Sequence, residues 1–274
     1  MKALHLTFWT VLTAGVVSGN MWAQNRNRGV PRGAGGKPDL TGVWQPGSTI
    51  PGSWEEANSG TGLGGTGKDA SAPVAASSTD RHSNEGAPYQ PWAAKKVLES
   101  YNNRDIDDPT ARCLPAGIPR LHSFGLFPMQ IVQTPQQIIM LYEYMNVFRV
   151  IPLNAQHPDD AEPTYLGDSV GHWDGDTLVV DITGFNDKTW LVGGGTFHSD
   201  ALHVVERYTR VSKDQINYEA VMEDSKVLTK PWTYHTTMML RQGTRLHEYV
   251  CGENNLDVER YEKLIKDGVK FERQ

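Results

Sequence analysis

The chain has 274 residues, with 26 Lys+Arg against 32 Asp+Glu for a formal net charge of −6, and 38% of its residues are hydrophobic. That balance excludes a helical membrane protein, a coiled coil and a wholly disordered chain. Without a basic excess to neutralise phosphates, it also argues against nucleic acid as a partner.

In chain order, the first segment reads as an address. Lys2 precedes an uncharged apolar run over residues 4–19, and Ala23 stands before Gln24. This predicts a secretory signal peptide over residues 1–23, with cleavage after Gly19 as a competing choice. The run is shorter than the roughly 20 residues of a spanning helix, so no membrane insertion is expected. A secreted or periplasmic location follows. Residues 24–37 read as a flexible leader, and residues from about 48 to 90 as a disordered insertion. Residues 29–67 hold 12 of the 27 glycines, and the stretch beyond them has too few large apolar side chains to offset its conformational entropy. Between leader and insertion lies a short island, Pro38-Asp39-Leu40-Thr41-Gly42-Val43-Trp44. Its Gly-x-Trp resembles the opening of lipocalin-like barrels, although an edge strand with one buried Trp fits equally well.

Pro91 suits a first helical position, and Trp92, Leu98 and Tyr101 predict one apolar helix stripe ending near Arg104. Cys113 and Cys251 are the only cysteines. In an exported chain a pair is expected to form a disulfide. From residue 130 onward the period switches to two, with a turn between successive runs. The runs 130–134 and 138–144 flank Pro135-Gln136, and 147–153 follows. The runs 168–173 and 177–183 flank Asp174-Gly175, a hairpin signal. Next, 202–211 and 215–224 flank Ser212-Lys213-Asp214, and 233–241 and 244–251 flank Gln242-Gly243. A helix over 255–266, stopped by Gly268, closes the chain. With the Trp44 island this makes about ten strands. The expected fold is all-β: a single domain over 38–270, an antiparallel up-and-down, lipocalin-like barrel with flanking helices. A two-sheet sandwich is the alternative.

Alternation within 202–211 places Glu206 among Leu202, Val204 and Tyr208, on the apolar face whatever the register. The three-residue loop sets Arg207 opposite Glu219 and His203 opposite Glu223, and opposite charges support that pairing. A carboxylate on an apolar face needs a partner or a shifted pKa. Two readings stand. Glu206 is half of a buried ion pair with Arg149 or Arg120, or it is a site carboxylate inside the barrel. For the second, His198 or His247 would assist proton transfer, and Arg120 or Arg149 would stabilise an anion. Tyr208 shares the face of Glu206. Glu143 alternates with Ile139 and Leu141 and is a candidate to point inward, although Tyr142 and Tyr144 make the opposite face equally aromatic. A two-residue turn at Asp174-Gly175 would leave His172 facing solvent. His198, His203 and Glu206 are metal-ligating types, but His203 and Glu206 lie three apart on a strand and so on opposite faces. No metal and no cofactor are expected. The chain has no Gly-x-Ser-x-Gly, His-Glu-x-x-His, phosphate loop or dinucleotide fingerprint.

The segments Pro38 to Trp44, Cys113-Leu114-Pro115-Ala116-Gly117-Ile118-Pro119-Arg120, Ile131-Val132-Gln133-Thr134-Pro135, Gly175-Asp176-Thr177-Leu178-Val179-Val180-Asp181, Gly184-Phe185-Asn186-Asp187-Lys188-Thr189-Trp190 and His198 to Arg207 together resemble an uncharacterised family of secreted bacterial proteins. The resemblance implies a secreted single domain and assigns neither activity nor ligand. Two function classes follow: a barrel binding a small apolar or amphipathic molecule, and an acid–base enzyme of isomerase, hydratase or lyase type built on Glu206. A protein-interaction module using the insertion is a third.

Overall fold

The computed structural model describes residues 29–46, 87–123, 127–253 and 256–268. The expected signal peptide and most of the expected insertion lie outside the described residues.

Among the described residues nine strands form one sheet: β1 (Gly42–Pro46), β2 (Met129–Gln133), β3 (Gln137–Tyr142), β4 (Phe148–Pro152), β5 (Asp168–Asp174), β6 (Thr177–Thr183), β7 (His203–Arg210), β8 (Gln215–Glu223) and β9 (Trp232–Leu240). Their order is β4-β3-β2-β1-β9-β8-β7-β6-β5, with every paired neighbour antiparallel. The sheet curls into a nearly closed barrel, as the hairpin series predicts. An odd number of antiparallel strands cannot close on itself in the same sense: β4 and β5, at the two ends of the order, run in the same direction. They meet through a single parallel bridge, Leu153 with Gly171, beside a hydrogen bond from Asn154 N to Gly171 O of 2.7 Å. Gly171 makes this approach possible, because a Cβ there would sit 3.0 Å from Ile151 Cγ2 and 3.1 Å from Leu153 Cδ2. The junction between β4 and β5 is the seam of the barrel.

Alternation fills the interior. Met129, Ile131, Ile138, Met140, Ile151, Leu178, Val180, Ile182, Val204, Ile216, Met222 and Met238 are all buried there. Trp44 is fully buried, donates Nε1 to Leu40 O at 2.9 Å and lies under the Arg210 guanidinium. The β7–β8 register pairs Arg207 with Glu219 and His203 with Glu223. In β5–β6, Asp174 pairs with Thr177, so the two-residue turn is Gly175-Asp176, one position later than expected; Trp173 faces Leu178 and His172 is exposed.

Several expectations are corrected. The run 244–251 is not a strand. β9 already pairs with β8 on one side and with β1 on the other, and Arg241 N donates to Val43 O. Both sides of β9 are therefore taken, and Tyr249 instead packs on Phe127 and Tyr144. The first helix, α1 (Pro91–Asn102), begins at Pro91 but buries Ala93 and Val97, while Trp92 and Leu98 stay exposed. The smaller side chains win because α1 rides against a glycine loop: a Cβ on Gly195 would lie 2.6 Å from Val97 O. Residues 29–37 of the expected flexible leader are held in place. Arg32 donates to both oxygens of Asp176 at 2.5 and 2.7 Å, and Lys37 Nζ donates to Gly175 O at 3.0 Å. Residues 87–90, expected at the end of the insertion, dock too, with Tyr89 bridging to Leu228. The C-terminal helix, α2, spans Leu256–Lys266.

Residues 113–122 form a plug. Ala116, Ile118, Leu121 and His122 are buried. Arg120 Nη1 and Nη2 donate to the two oxygens of Asp108 at 2.8 and 2.6 Å. Asp108 also accepts from Thr110 N and Oγ1. The Cys113–Cys251 disulfide ties the plug to the segment beyond β9.

Candidate functional site

Glu206 faces inward from β7 and is fully buried. Its partner is Arg149 of β4, reached across the barrel interior: Arg149 Nη2 donates to Glu206 Oε2 at 2.8 Å. Tyr218 of β8, also on the inner face, donates its hydroxyl to Oε1 at 2.8 Å. Arg149 Nη2 donates further to Ser169 Oγ of β5 at 2.9 Å, and Nη1 to the Tyr142 hydroxyl at 3.4 Å. The plug delivers His122, whose Nδ1 stands 3.6 Å from Glu206 Oε1. Its Nε2 lies 3.2 Å from the Tyr142 hydroxyl and 3.3 Å from that of Tyr208. The tautomer that serves most groups puts the proton on Nδ1, facing Glu206, and leaves Nε2 to accept from a tyrosine.

The electrostatics follow from burial and pairing. Burial pushes the Glu206 carboxyl up, but Arg149, then His122, and the hydrogen bonds from Arg149 and Tyr218 outweigh it, leaving Glu206 below the usual carboxylate range. Burial dominates at His122 and lowers it to about 4, so the imidazole is neutral near pH 7. Burial likewise raises Tyr142 to about 12 and lifts Tyr208 and Tyr218 well above the ordinary phenol range. The cluster therefore holds one anion and one cation in contact, ringed by neutral hydrogen-bonding groups. A buried pair of this kind gains little net stability over an apolar core, yet is costly to break on one side only.

The cluster touches the outside at the seam. Where β4 and β5 splay apart, on the N-terminal side of the Leu153–Gly171 bridge, lies a cavity of about 400 Å³. Val147, Phe148, Val150 and Leu166 supply apolar walls, and Arg149 and Ser169 supply its contact with the buried cluster. Volume and lining fall in the range of small-molecule sites. One wall includes residues 164–167, the end of the loop that begins at 154; residues 154–164 of that loop are exposed except for His157. His157 is pinned at both ring nitrogens: Nδ1 lies 2.5 Å from Asp168 Oδ1, and Nε2 lies 3.0 Å from Asp181 Oδ2. Two carboxylate acceptors call for two ring protons. Desolvation lowers the pKa, but the bonds to Asp168 and Asp181 exceed it, so His157 sits above the usual histidine range.

The candidate residues divide. Glu206, Arg149 and Tyr208 come together in the cluster. Arg120 does not join them, because it is committed to Asp108. Glu143 does not point into the barrel: Ile138, Met140 and Tyr142 take the inner face of β3, and Glu143 Oε2 instead accepts from His247 N at 2.7 Å. The His247 side chain is exposed. His198 is buried elsewhere, its Nε2 2.7 Å from Thr189 Oγ1 and its Nδ1 2.9 Å from Ser199 O. Of the two arginines weighed for Glu206, the partner is Arg149. His122, Ser169 and Tyr218 were not among the sequence candidates. Ser169 and Tyr218 lie on inward positions that alternation marks, whereas His122 sits in a non-periodic segment that carries no such signal. Among the described residues no group of three His, Cys, Asp or Glu side chains is placed to hold a metal ion. No helix among them is long and apolar enough to cross a membrane. No protein-family model, curated protein or solved structure matches the chain.

Proposed function

We propose that the protein binds a small amphipathic molecule in the seam cavity, with its polar end toward Arg149 and Ser169 and its apolar part along Val147, Val150 and Leu166. One observation carries this reading: the gap in strand pairing between β4 and β5 coincides with a roughly 400 Å³ cavity whose wall includes two members of the buried polar cluster. The packed barrel interior supports a site at the seam rather than along the barrel axis. Glu206 and His122 do not line the cavity, so the geometry favours binding over proton transfer to a bound molecule. The Cys113–Cys251 disulfide supports work in an oxidising compartment, outside the cytoplasm.

The test uses the polarity-sensitive probe N-phenyl-1-naphthylamine. Its fluorescence should rise on saturable binding to the folded protein. The rise should be lost in Val150→Glu, which sets a charge on the apolar wall at a half-exposed position that folding tolerates. Equal binding by wild type and Val150→Glu, with both folded, refutes the seam as the site.

A further inference from the structure

The seam cavity is polar at one end, but its charges are already matched. Arg149 is the cation on the wall, and Glu206 lies 2.8 Å away on its far side. Both oxygens of Glu206 are taken, one by Arg149 and the other by Tyr218. The third polar neighbour, His122, is neutral because it is buried. The acidic residue on the opposite wall, Asp168, is matched in the same way by His157 at 2.5 Å. A ligand carboxylate or ammonium entering here would lose its hydration and find no free counter-charge, which is unfavourable.

What the wall does offer is a donor. Ser169 Oγ accepts from Arg149 Nη2, which leaves the hydroxyl proton uncommitted. We infer that the seam cavity selects an uncharged amphiphile bearing a hydrogen-bond acceptor, a ketone, ester or ether oxygen, which takes the proton of Ser169 while its hydrocarbon part lies on Val147, Val150 and Leu166. This assignment rests on the binding role proposed above and specifies its ligand class.

The experiment is displacement of N-phenyl-1-naphthylamine at pH 7.5 by four matched chains: 2-octanone, 1-octene, octanoate and octylammonium. The ketone should displace the probe at concentrations about tenfold below those needed for either ion. It should also outcompete 1-octene by about fivefold, the effect of one ordinary hydrogen bond. Ser169→Ala, which leaves the Arg149–Glu206 contact in place, should erase the advantage of the ketone over the alkene while leaving the alkene unchanged. Octanoate or octylammonium displacing the probe as well as the ketone does overturns the charge argument while the binding role stands. A ketone advantage that survives Ser169→Ala overturns the assigned donor. Failure of the probe and of all four chains to bind refutes the binding role and this assignment together.

Discussion

Glu206→Gln separates a structural ion pair from a spectator carboxylate. The amide keeps the volume and one acceptor oxygen, and the Tyr218 hydroxyl can turn to accept instead of donate. Arg149 has no such freedom. It is 4% exposed, and after the change its guanidinium faces a neutral amide oxygen and the hydroxyls of Ser169 and Tyr142 in place of a carboxylate. Removing one partner of a buried pair costs about 3–5 kcal/mol. With a guanidinium chloride slope of about 4 kcal/mol per molar, the unfolding midpoint should fall by about 1 M. The double variant Glu206→Gln with Arg149→Met removes the stranded charge and should recover most of that loss, since apolar replacement of a whole buried pair is often neutral. Equilibrium unfolding followed by tryptophan fluorescence reads both. A single variant whose midpoint stays within about 0.2 M of wild type, or a double variant whose loss is the sum of its parts, would show that the pair carries no such coupling.

Three further outcomes follow from the same physics. His122 has a native pKa of about 4 against an ordinary 6.5, so the unfolded chain binds a proton first; stability should fall by on the order of 3 kcal/mol between pH 6.5 and 4, and Glu206 adds to the loss as pH falls from the ordinary carboxylate value through its lowered native one. A melting temperature that stays level from pH 7 to 4.5 contradicts this. His157 behaves oppositely: its raised pKa makes its contribution complete below the unfolded histidine value and lost as pH rises through the native one, so amide exchange in residues 154–164, corrected for intrinsic rate, should quicken on the alkaline side. His157→Gln should exchange quickly at every pH, and identical protection in variant and wild type would rule the tie out. Thiol titration of unreduced, denatured protein should find no free cysteine, and Cys113→Ser with Cys251→Ser should lower stability by no more than about 5 kcal/mol, the loop-entropy limit for so long a closure.

The inward Glu206 and the β7–β8 register were legible because a strand's period is two and because His203, Arg207, Glu219 and Glu223 pair across it. The choice of Arg149 over Arg120 was not, since it depends on which strands face each other across a closed barrel. Asp108, a polar residue before a Pro, gives no sign in sequence that it will claim Arg120. Strand order likewise decided the fate of 244–251: its Gln242-Gly243 turn is a fair hairpin signal, but β1 occupies the edge it would need. In β3, both alternating faces were apolar or aromatic, and only the packing of Tyr142 against His122 settles which turns inward.

The position of β1 in the sheet also governs how the chain reaches this fold. β1 lies between β2 and β9, so Trp44 stands beside Leu240, a residue 196 positions later in the chain. The β5-to-β9 meander is built from neighbours in sequence and can assemble early, whereas β1 has one flank open until the final strand arrives. Long-range pairing of this sort slows folding. It also means that a chain cut before β9 could not make a smaller barrel: it would leave two curved sheet fragments, each with raw edges open to aggregation.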